Sequence, residues 1–298
     1  MSFNPSFIFT LFNIVIPRLL IQGTQPMINS RNTGTQPRVT AMTMRSAFFV
    51  ILLMVLSACT NVVKFNYENP YAQQKGEPLE LKAYLSKPDG EGPFPAVILL
   101  HGCSGVAPRS RMWAERLNGW GYATLIVDSF GPRWVVNGCN GEVPKEERAY
   151  DAYAAKSYLS SLSFIEPNRI ALMGFAQGGE AAMCAINEKC RPDPAESPFA
   201  AAIAFYPDCT GNLTSNTSPL LVLIGEKEDW ASAEACHDLD EKPRGKHDAD
   251  FIFYANAHHG FDVPGCNRIY MGHHVKYDKP AADDAEVRAK AFLEKYLQ

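Results

Sequence analysis

The sequence has no long run of basic or acidic residues, and its formal charges nearly cancel. It contains 28 Lys and Arg against 32 Asp and Glu, which gives a net charge of -4. Nucleic-acid-binding surfaces usually carry a concentrated basic patch, so nothing here indicates nucleic acid as a partner. The sequence also has no Cys-x-x-Cys repeat and no pair of histidines four residues apart. We therefore expect neither a metal ion nor another cofactor.

The remaining composition is that of an ordinary globular protein. The chain has 298 residues, of which 46% are hydrophobic and 20% are charged. This length and this apolar fraction are sufficient for one substantial hydrophobic core.

A short apolar stretch near the N-terminus, residues 47–56, follows Arg45 and precedes Cys59. It is too short to span a bilayer, and small residues follow it, as in a secretory signal. The sequence LSAC at 56–59 resembles the lipobox of a bacterial lipoprotein, in which the cysteine is lipidated after cleavage. The alternative is a buried or membrane-anchoring helix.

This resemblance implies that residues 1–58 are removed and that Cys59 carries a lipid anchor. The protein would then be exported to the bacterial cell envelope and face the periplasm. Thr60, in place of Asp, implies sorting to the outer membrane. Met42 or Met44 would be a natural start for such a signal, so residues 1–41 are either an over-extended gene start or a genuine extension.

Export makes the other seven cysteines candidates for disulfide bonds. Because seven is an odd number, one thiol is expected to be free, and Cys266 is the first candidate. The predicted pairs are Cys184 with Cys190, Cys209 with Cys236 and, next in order, Cys103 with Cys139.

Short apolar runs alternate with segments of helical periodicity after residue 78. Runs without polar alternation are typical of strands that are buried on both faces of a parallel sheet. Predicted strands lie at 79–85, 95–100, 122–127, 169–173, 200–206, 220–224 and 251–254, and predicted helices at 109–119, 145–162, 177–187 and 281–296. This alternation predicts one α/β domain, residues 60–298, with a mostly parallel central sheet and helices on both faces.

In open parallel sheets, ligands bind beyond the carboxyl ends of the strands. The segments that follow the predicted strands are 101–105, Asp128, 174–179, 225–229 and 258–261. Their order resembles the nucleophile, acid and histidine of α/β-hydrolases. The closest resemblance is to the dienelactone hydrolase family, and it covers essentially the whole chain after residue 60. It implies an α/β-hydrolase fold and hydrolysis of a small carboxylic ester or lactone.

Gly174, Gly178 and Gly179 surround a tight turn between a strand and a helix, with Ala176 at its tip. In the family this position carries Ser or Cys. Alanine has only a methyl group and cannot form an acyl-enzyme. Three explanations compete: an engineered change, a natural binding protein that has lost catalysis, or a natural enzyme with residual chemistry. The retained leader weakens the first of these.

The resemblance assigns the general base to His259, within the family's Ala-x-His-x-Phe spacing, with the adjacent His258 as the alternative. The family acid lies three residues after the glycine that ends its strand, which gives Glu228 here. Asp229 is an almost equal candidate. Backbone N–H groups of Cys103 and Gln177 would form the oxyanion hole.

Other interpretations stay open at this point. Cys103 and Ser104 are alternative nucleophiles, although neither lies on an elbow. His258, His259, His273 and His274 could converge on a metal ion. Arg133 is a candidate for binding a substrate carboxylate. We predict a hydrolase scaffold for carboxylic esters or lactones; the alternative is a catalytically inactive periplasmic lipoprotein that binds a small ligand or a partner.

Overall fold

The computed structural model describes residues 61–67 and 79–298. The predicted signal segment, Cys59 and Thr60 lie outside the described residues. The strands are β1 (Asn61–Tyr67), β2 (Leu79–Ser86), β3 (Phe94–Leu100), β4 (Ala123–Asp128), β5 (Ile165–Phe175), β6 (Ala202–Phe205), β7 (Leu220–Gly225), β8 (Ala249–Tyr254), β9 (Asn267–Tyr270) and β10 (His273–Lys276). The helices are α1 (Pro108–Gly119), α2 (Lys145–Ser160), α3 (Gln177–Ala185), α4 (Ala233–Asp240) and α5 (Lys279–Tyr296). No helix in these ranges is long and apolar enough to cross a membrane.

Eight strands form one sheet in the order β1-β2-β4-β3-β5-β6-β7-β8, and β9 and β10 form a separate hairpin. Strands β3 to β8 pair in parallel, whereas β1 and β2 add an antiparallel edge. The predicted mostly parallel α/β sheet is therefore confirmed. The carboxyl ends of the six parallel strands, where ligands bind in such sheets, lie along one edge.

The chain leaves β3 towards one side of the sheet to form β4 and then returns past β3 to form β5. Because such crossovers are right-handed, α1 and α2 lie on opposite faces. Helix α5 shares the face of α1, since Arg116 pairs with Glu286 at 3.2 Å. The apolar runs of the central strands are buried between these layers, and the run Val97–Leu100 has no exposed surface. This explains why these strands are continuous apolar runs.

Three features of the fold were not predicted from the sequence: strand β1, the β9–β10 hairpin and helix α4. Residues 61–67, interpreted as part of a polar leader, form strand β1, in which Val63, Phe65 and Tyr67 are half-buried. The hairpin of β9 and β10 and the short helix α4 were also not predicted, because neither carries a long apolar period.

All three predicted disulfide bonds are present, and Cys266 is the free cysteine. Cys103–Cys139 links the turn after β3 to the loop before α2. Cys209–Cys236 joins the loop after β6 to α4, and Cys184–Cys190 closes a short loop after α3. Three disulfides are typical of an oxidising compartment.

Candidate active site

Ala176 lies between β5 and α3 with φ 51° and ψ -122°, a conformation that a residue with a side chain rarely adopts. Two glycines make this turn possible. A methyl group at Gly174 would lie 2.0 Å from the carbonyl oxygen of Gly178, and one at Gly178 would lie 2.1 Å from that of Leu100. The backbone is therefore the strained elbow that α/β-hydrolases use to expose a nucleophile, with a methyl group at its tip.

His259 and Glu228 form a buried pair at the same edge of the sheet. Nδ1 of His259 lies 3.1 Å from Oε1 and 3.0 Å from Oε2 of Glu228, whose side chain has no exposed surface. Oε1 also accepts hydrogen bonds from the backbone N–H groups of Trp230 and Ala231. Because Nδ1 faces Glu228, Nε2 is the ring nitrogen of His259 that is available to a ligand.

Asp229 points away from His259. Its side chain is half exposed, and its carboxylate accepts the backbone N–H of His274 at 3.2 Å. Its carbonyl oxygen lies 2.8 Å from Nδ1 of His273. Of the two adjacent acids, therefore, only Glu228 contacts His259.

The β9–β10 hairpin covers one side of the pair. Val275 bridges to His259, and the N–H of Lys276 donates to the carbonyl oxygen of His259. The ring of Trp230 lies between His259 at 5.1 Å and His273 at 4.8 Å, measured between centroids. The hairpin and Trp230 thus fix the orientation of the imidazole.

The backbone N–H groups of Cys103 and Gln177 have no hydrogen-bond acceptor among the described residues. The N–H of Gln177 is free because it belongs to the first residue of α3. Such a pair can stabilise negative charge that develops on a carbonyl oxygen. The structure brings both residues to the strand edge that carries Ala176 and His259.

The loop before α2 fixes this pair of donors. Cys139 holds Cys103 through the disulfide, and the N–H of Gly138 donates to the carbonyl oxygen of Cys103 at 2.9 Å. The side-chain amide of Gln177 donates to the carbonyl oxygen of Gly138 at 3.0 Å. One loop therefore positions both candidate oxyanion donors.

The residues proposed as alternative nucleophiles or as a carboxylate-binding group have other contacts or positions. The sulfur of Cys103 is in a disulfide, so Cys103 is not a thiol nucleophile, and Ser104 is exposed. Arg133 binds Glu147 at 2.7 Å and Asp151 at 2.8 Å, so its guanidinium is paired with two carboxylates of the protein itself.

The four histidines considered as metal ligands do not share one centre in this arrangement. His259 faces Glu228, His273 stacks on Trp230, and only His258 and His274 contact each other, with ring centroids 4.5 Å apart. Burial and the neighbouring His274 lower the pKa of His258. Glu146, Cys184 and Cys190 also lie close together, but both cysteines form a disulfide.

Sequence reasoning missed a buried polar network beside the elbow. The Tyr206 hydroxyl donates to Asp262 at 2.6 Å and accepts from Nη1 of Arg109, and Trp113 donates to the other carboxylate oxygen of Asp262 at 2.8 Å. The Tyr206 ring lies 4.6 Å from the ring of His259. Burial raises the pKa of Tyr206 well above its usual range, which keeps its hydroxyl protonated. Tyr206 directly follows β6, but the predicted strand ran to residue 206, so the rule that sites follow strand ends did not identify it from the sequence.

The guanidinium of Arg109 belongs to this network through its hydrogen bond to Tyr206. It stacks over Phe175, the residue before the elbow, with Cζ 5.3 Å from the ring centroid. A methyl group at Gly102 would lie 3.7 Å from Cβ of Ala176 and 3.9 Å from Nη2 of Arg109. Arg109 is therefore a charged group next to the elbow that no motif in the sequence indicated.

Known proteins resemble this chain in sequence and in fold. The sequence model described as the dienelactone hydrolase family matches residues 81–297. The probable 2-oxo-3-(5-oxofuran-2-ylidene)propanoate lactonase of a Bradyrhizobium species is 23% identical over 196 residues, which are 60% of this chain and 78% of that protein. The quorum-quenching protein AidA of Acinetobacter baumannii is 32% identical over 109 residues, about a third of each chain.

A solved structure has the same fold. The crystal structure of dienelactone hydrolase from Anabaena variabilis superposes with a TM-score of 0.57 at 19% identity, covering 81% of this chain and all of that one. At this identity the likeness shows the fold alone, and it confirms the predicted α/β-hydrolase architecture.

Proposed function

Because the chain belongs to the dienelactone hydrolase family, we propose that it is a hydrolase of carboxylic esters or lactones in which Ala176 occupies the nucleophile position. One observation carries the proposal: a strained elbow, a buried His259–Glu228 pair and two backbone N–H groups without an acceptor among the described residues lie at one edge of the sheet. The similarity to a lactonase over most of that protein's length supports a lactone or ester as the substrate.

With alanine at the elbow, water has to be the attacking nucleophile. His259 takes a proton from the water through Nε2, and the water oxygen bonds to the carbonyl carbon. The N–H groups of Cys103 and Gln177 stabilise the oxyanion, and Glu228 stabilises the imidazolium. The intermediate then expels the alcohol group, which receives the proton from His259. No covalent bond to the protein forms at any step.

This route is slow compared with that of an intact triad. Enzymes that lose one triad member keep roughly 10³–10⁴-fold catalysis over water, through the oxyanion hole and substrate binding. The methyl group of Ala176 therefore favours a second candidate function. In that case the chain is a catalytically inactive lipoprotein that retains the pocket and binds a small ligand or a partner.

For location, we propose export, lipidation at Cys59 and attachment to the periplasmic side of the outer membrane. The LSAC sequence at 56–59 and the three disulfides support this proposal. In β1, Asn61 pairs with Leu85, which lies at the end of the sheet opposite to Asp128 and the site.

An esterase assay tests the function. The purified chain, Ala176→Ser, and Ala176→Ser combined with His259→Ala are compared on short p-nitrophenyl esters. We expect Ala176→Ser to raise the rate by orders of magnitude and His259→Ala to remove the gain. If Ala176→Ser gains nothing, the elbow or the acid is wrongly assigned and the binding function becomes the better proposal.

A further inference from the structure

We propose that the protein docks on an anionic lipid surface through an exposed apolar rim beside the site. The rim consists of Trp134 and Val136, in the loop between β4 and α2, and of Ile269 and Met271, on the β9–β10 hairpin. Lipid docking goes beyond the proposed function, because it does not depend on any reaction at Ala176.

The apolar rim holds most of the large apolar side chains on the described surface. Among the described residues, six such side chains are exposed, and four of them belong to the rim. The exposed fractions are 93% for Trp134, 93% for Val136, 66% for Ile269 and 51% for Met271. Single exposed apolar residues are ordinary, but a cluster on two neighbouring segments indicates a surface that binds a partner or a membrane.

The two segments that carry the rim meet at the edge of the sheet where the site lies. The loop follows β4 and the hairpin packs on the segment after β8, although four strands separate β4 from β8 in the sheet. The side-chain amide of Asn137 in the loop donates to the Tyr270 hydroxyl of the hairpin at 3.0 Å. Backbone hydrogen bonds also join the loop to Cys103 and the hairpin to His259. The rim and the site therefore belong to the same end of the molecule.

The backbone at two rim residues has a conformation that large side chains avoid. φ is 58° at Trp134 and 50° at Met271, both in the left-handed region. Among the described residues other than glycine, only Ala176 and Tyr206 share a positive φ, and both lie at the site. Strained positions of this kind are concentrated at functional sites. The tip of the hairpin is Met271-Gly272, where Asn-Gly or Asp-Gly would be the usual turn. Large apolar side chains are thus held outward at positions that suit small polar ones.

The charges on the two segments fit an anionic partner. Residues 129–141 and 267–276 contain no Asp or Glu, although acids outnumber bases in the whole chain. Arg268 and Lys276 are exposed on the hairpin, and Asp229, the acid beside it, is engaged by one of its backbone N–H groups. Lys and Arg attract anionic lipid headgroups, while Trp and other large apolar side chains enter the boundary between headgroups and acyl chains.

A second copy of the chain fits this surface less well. A two-fold interface through the rim would place the same acid-free segments opposite each other. Arg268 and Lys276 would then face the like charges of the other copy, which is unfavourable across an interface. An anionic bilayer offers the opposite charge and an apolar interior, so it matches both features of the surface.

Trp134 itself reports insertion into a bilayer. The chain has four Trp residues, none of them in residues 1–60, and the other three are buried or half-buried. The full chain carrying Cys59→Ala, which prevents lipidation, is titrated with vesicles of phosphatidylcholine and phosphatidylglycerol in a three-to-one ratio. The acyl chains are brominated, because bromine quenches the fluorescence of nearby indoles. An apolar leader that binds vesicles by itself gives no signal, since it contains no Trp.

We expect saturable quenching in this chain and loss of the quenched component in Trp134→Phe, which retains an apolar ring. Absence of quenching, or equal quenching in Trp134→Phe, would overturn the inference.

Val136→Ser removes an apolar contact with the bilayer and changes no Trp residue. We expect the lipid concentration at half-maximal quenching to rise about tenfold, because the burial of a valine side chain is lost. Val287→Ser on α5 is the matched control, since that valine is 67% exposed and lies outside the rim, and its titration should be unchanged. Equal shifts in the two variants, or no shift in Val136→Ser, would contradict docking through the rim.

Arg268→Gln combined with Lys276→Gln tests the choice of an anionic lipid. On the mixed vesicles we expect about fivefold weaker binding for each cation removed, and on phosphatidylcholine alone little change. Lys290→Gln combined with Lys295→Gln, which removes two exposed cations of α5, is the control. Binding that is equally weakened on both kinds of vesicle would exclude recognition of the anionic headgroup.

Sedimentation velocity without lipid tests the second copy as the occupant. We expect the parent chain and Val136→Ser to have the same state of association. A parent that is dimeric and that Val136→Ser converts to a monomer would assign the rim to a second copy and reject lipid docking.

Discussion

The carboxylate of Glu228 lies 3.0 Å from Nδ1 of His259, and its neighbour Asp229 lies on the other side of the loop against His274. The conformation of the loop explains why Glu228 faces His259 and Asp229 does not. The N–H groups of Trp230 and Ala231 both bond to Oε1 of Glu228 and curl the chain around it, so the next side chain turns outward. We propose Glu228 as the acid on this geometry.

Replacing each acid by its amide distinguishes the two candidates. In the Ala176→Ser background, Glu228→Gln should lower kcat/KM by about 10⁴-fold, as when a triad acid becomes an amide and imposes the wrong imidazole tautomer. Asp229→Asn is the matched control, and we expect it to change kcat/KM by less than about tenfold, since its half-exposed carboxylate pairs only with the hairpin. A larger loss in Asp229→Asn than in Glu228→Gln would exchange the two roles.

The glycine spacing around Ala176 predicted the tight turn, whereas the histidine loop and the oxyanion turn came from the family resemblance together with their positions after strands. The choice between Glu228 and Asp229 was not available from sequence, because two adjacent carboxylates differ only in the direction that the folded loop gives them. Arg109 was missed for a similar reason. It follows the N-terminal proline of α1 in an ordinary amphipathic pattern, and only the packing of α1 against Phe175 places it beside the elbow.

The strained backbone at Ala176 gives a stability prediction. Holding a residue with a Cβ at φ 51° costs on the order of 1–3 kcal/mol, and glycine avoids much of that cost. We expect Ala176→Gly to raise the free energy of unfolding by about 1 kcal/mol, measured by urea denaturation. Ala182→Gly, within helix α3, is the control and should lower it by about the same amount. A destabilised Ala176→Gly would mean that the elbow is not strained.

His101 gives a prediction on pH. Burial, and then the charge of Arg148, lower its pKa to about 3, and its Nε2 accepts the N–H of Ser129 at 3.2 Å. The unfolded chain, with a pKa of about 6.5, binds the proton that the folded chain refuses, so stability falls as the pH drops from about 6.5 towards 3. Between pH 7 and pH 5 this amounts to about 2 kcal/mol.

His101→Gln removes the titrating group and retains an acceptor for Ser129. Urea denaturation of both chains at pH 7 and pH 5 isolates the contribution, because every other group titrates equally in the two. We expect the parent to lose about 2 kcal/mol more than the variant over this interval. Equal losses would show that His101 takes up its proton in the folded state.

The last prediction concerns the disulfide between Cys103 and Cys139. It fixes the turn whose N–H is a proposed oxyanion donor, and the same loop accepts the side-chain amide of Gln177 through Gly138. Without the bond, the loop is free to move and both donors lose their common support. In the Ala176→Ser background, replacing both cysteines by serine should therefore lower kcat by at least about tenfold, towards the roughly 10²–10³-fold loss known for a missing oxyanion donor.

A general loss of stability has to be separated from this positioning effect. Cys184–Cys190 closes a loop at the far end of α3, so its double serine variant is the matched control and should retain kcat at temperatures where it stays folded. KM should change little in the Cys103 and Cys139 variant, because the oxyanion forms only as the reaction proceeds. If both double variants lost kcat equally, or if KM alone rose, the disulfide would stabilise the fold without positioning the oxyanion hole.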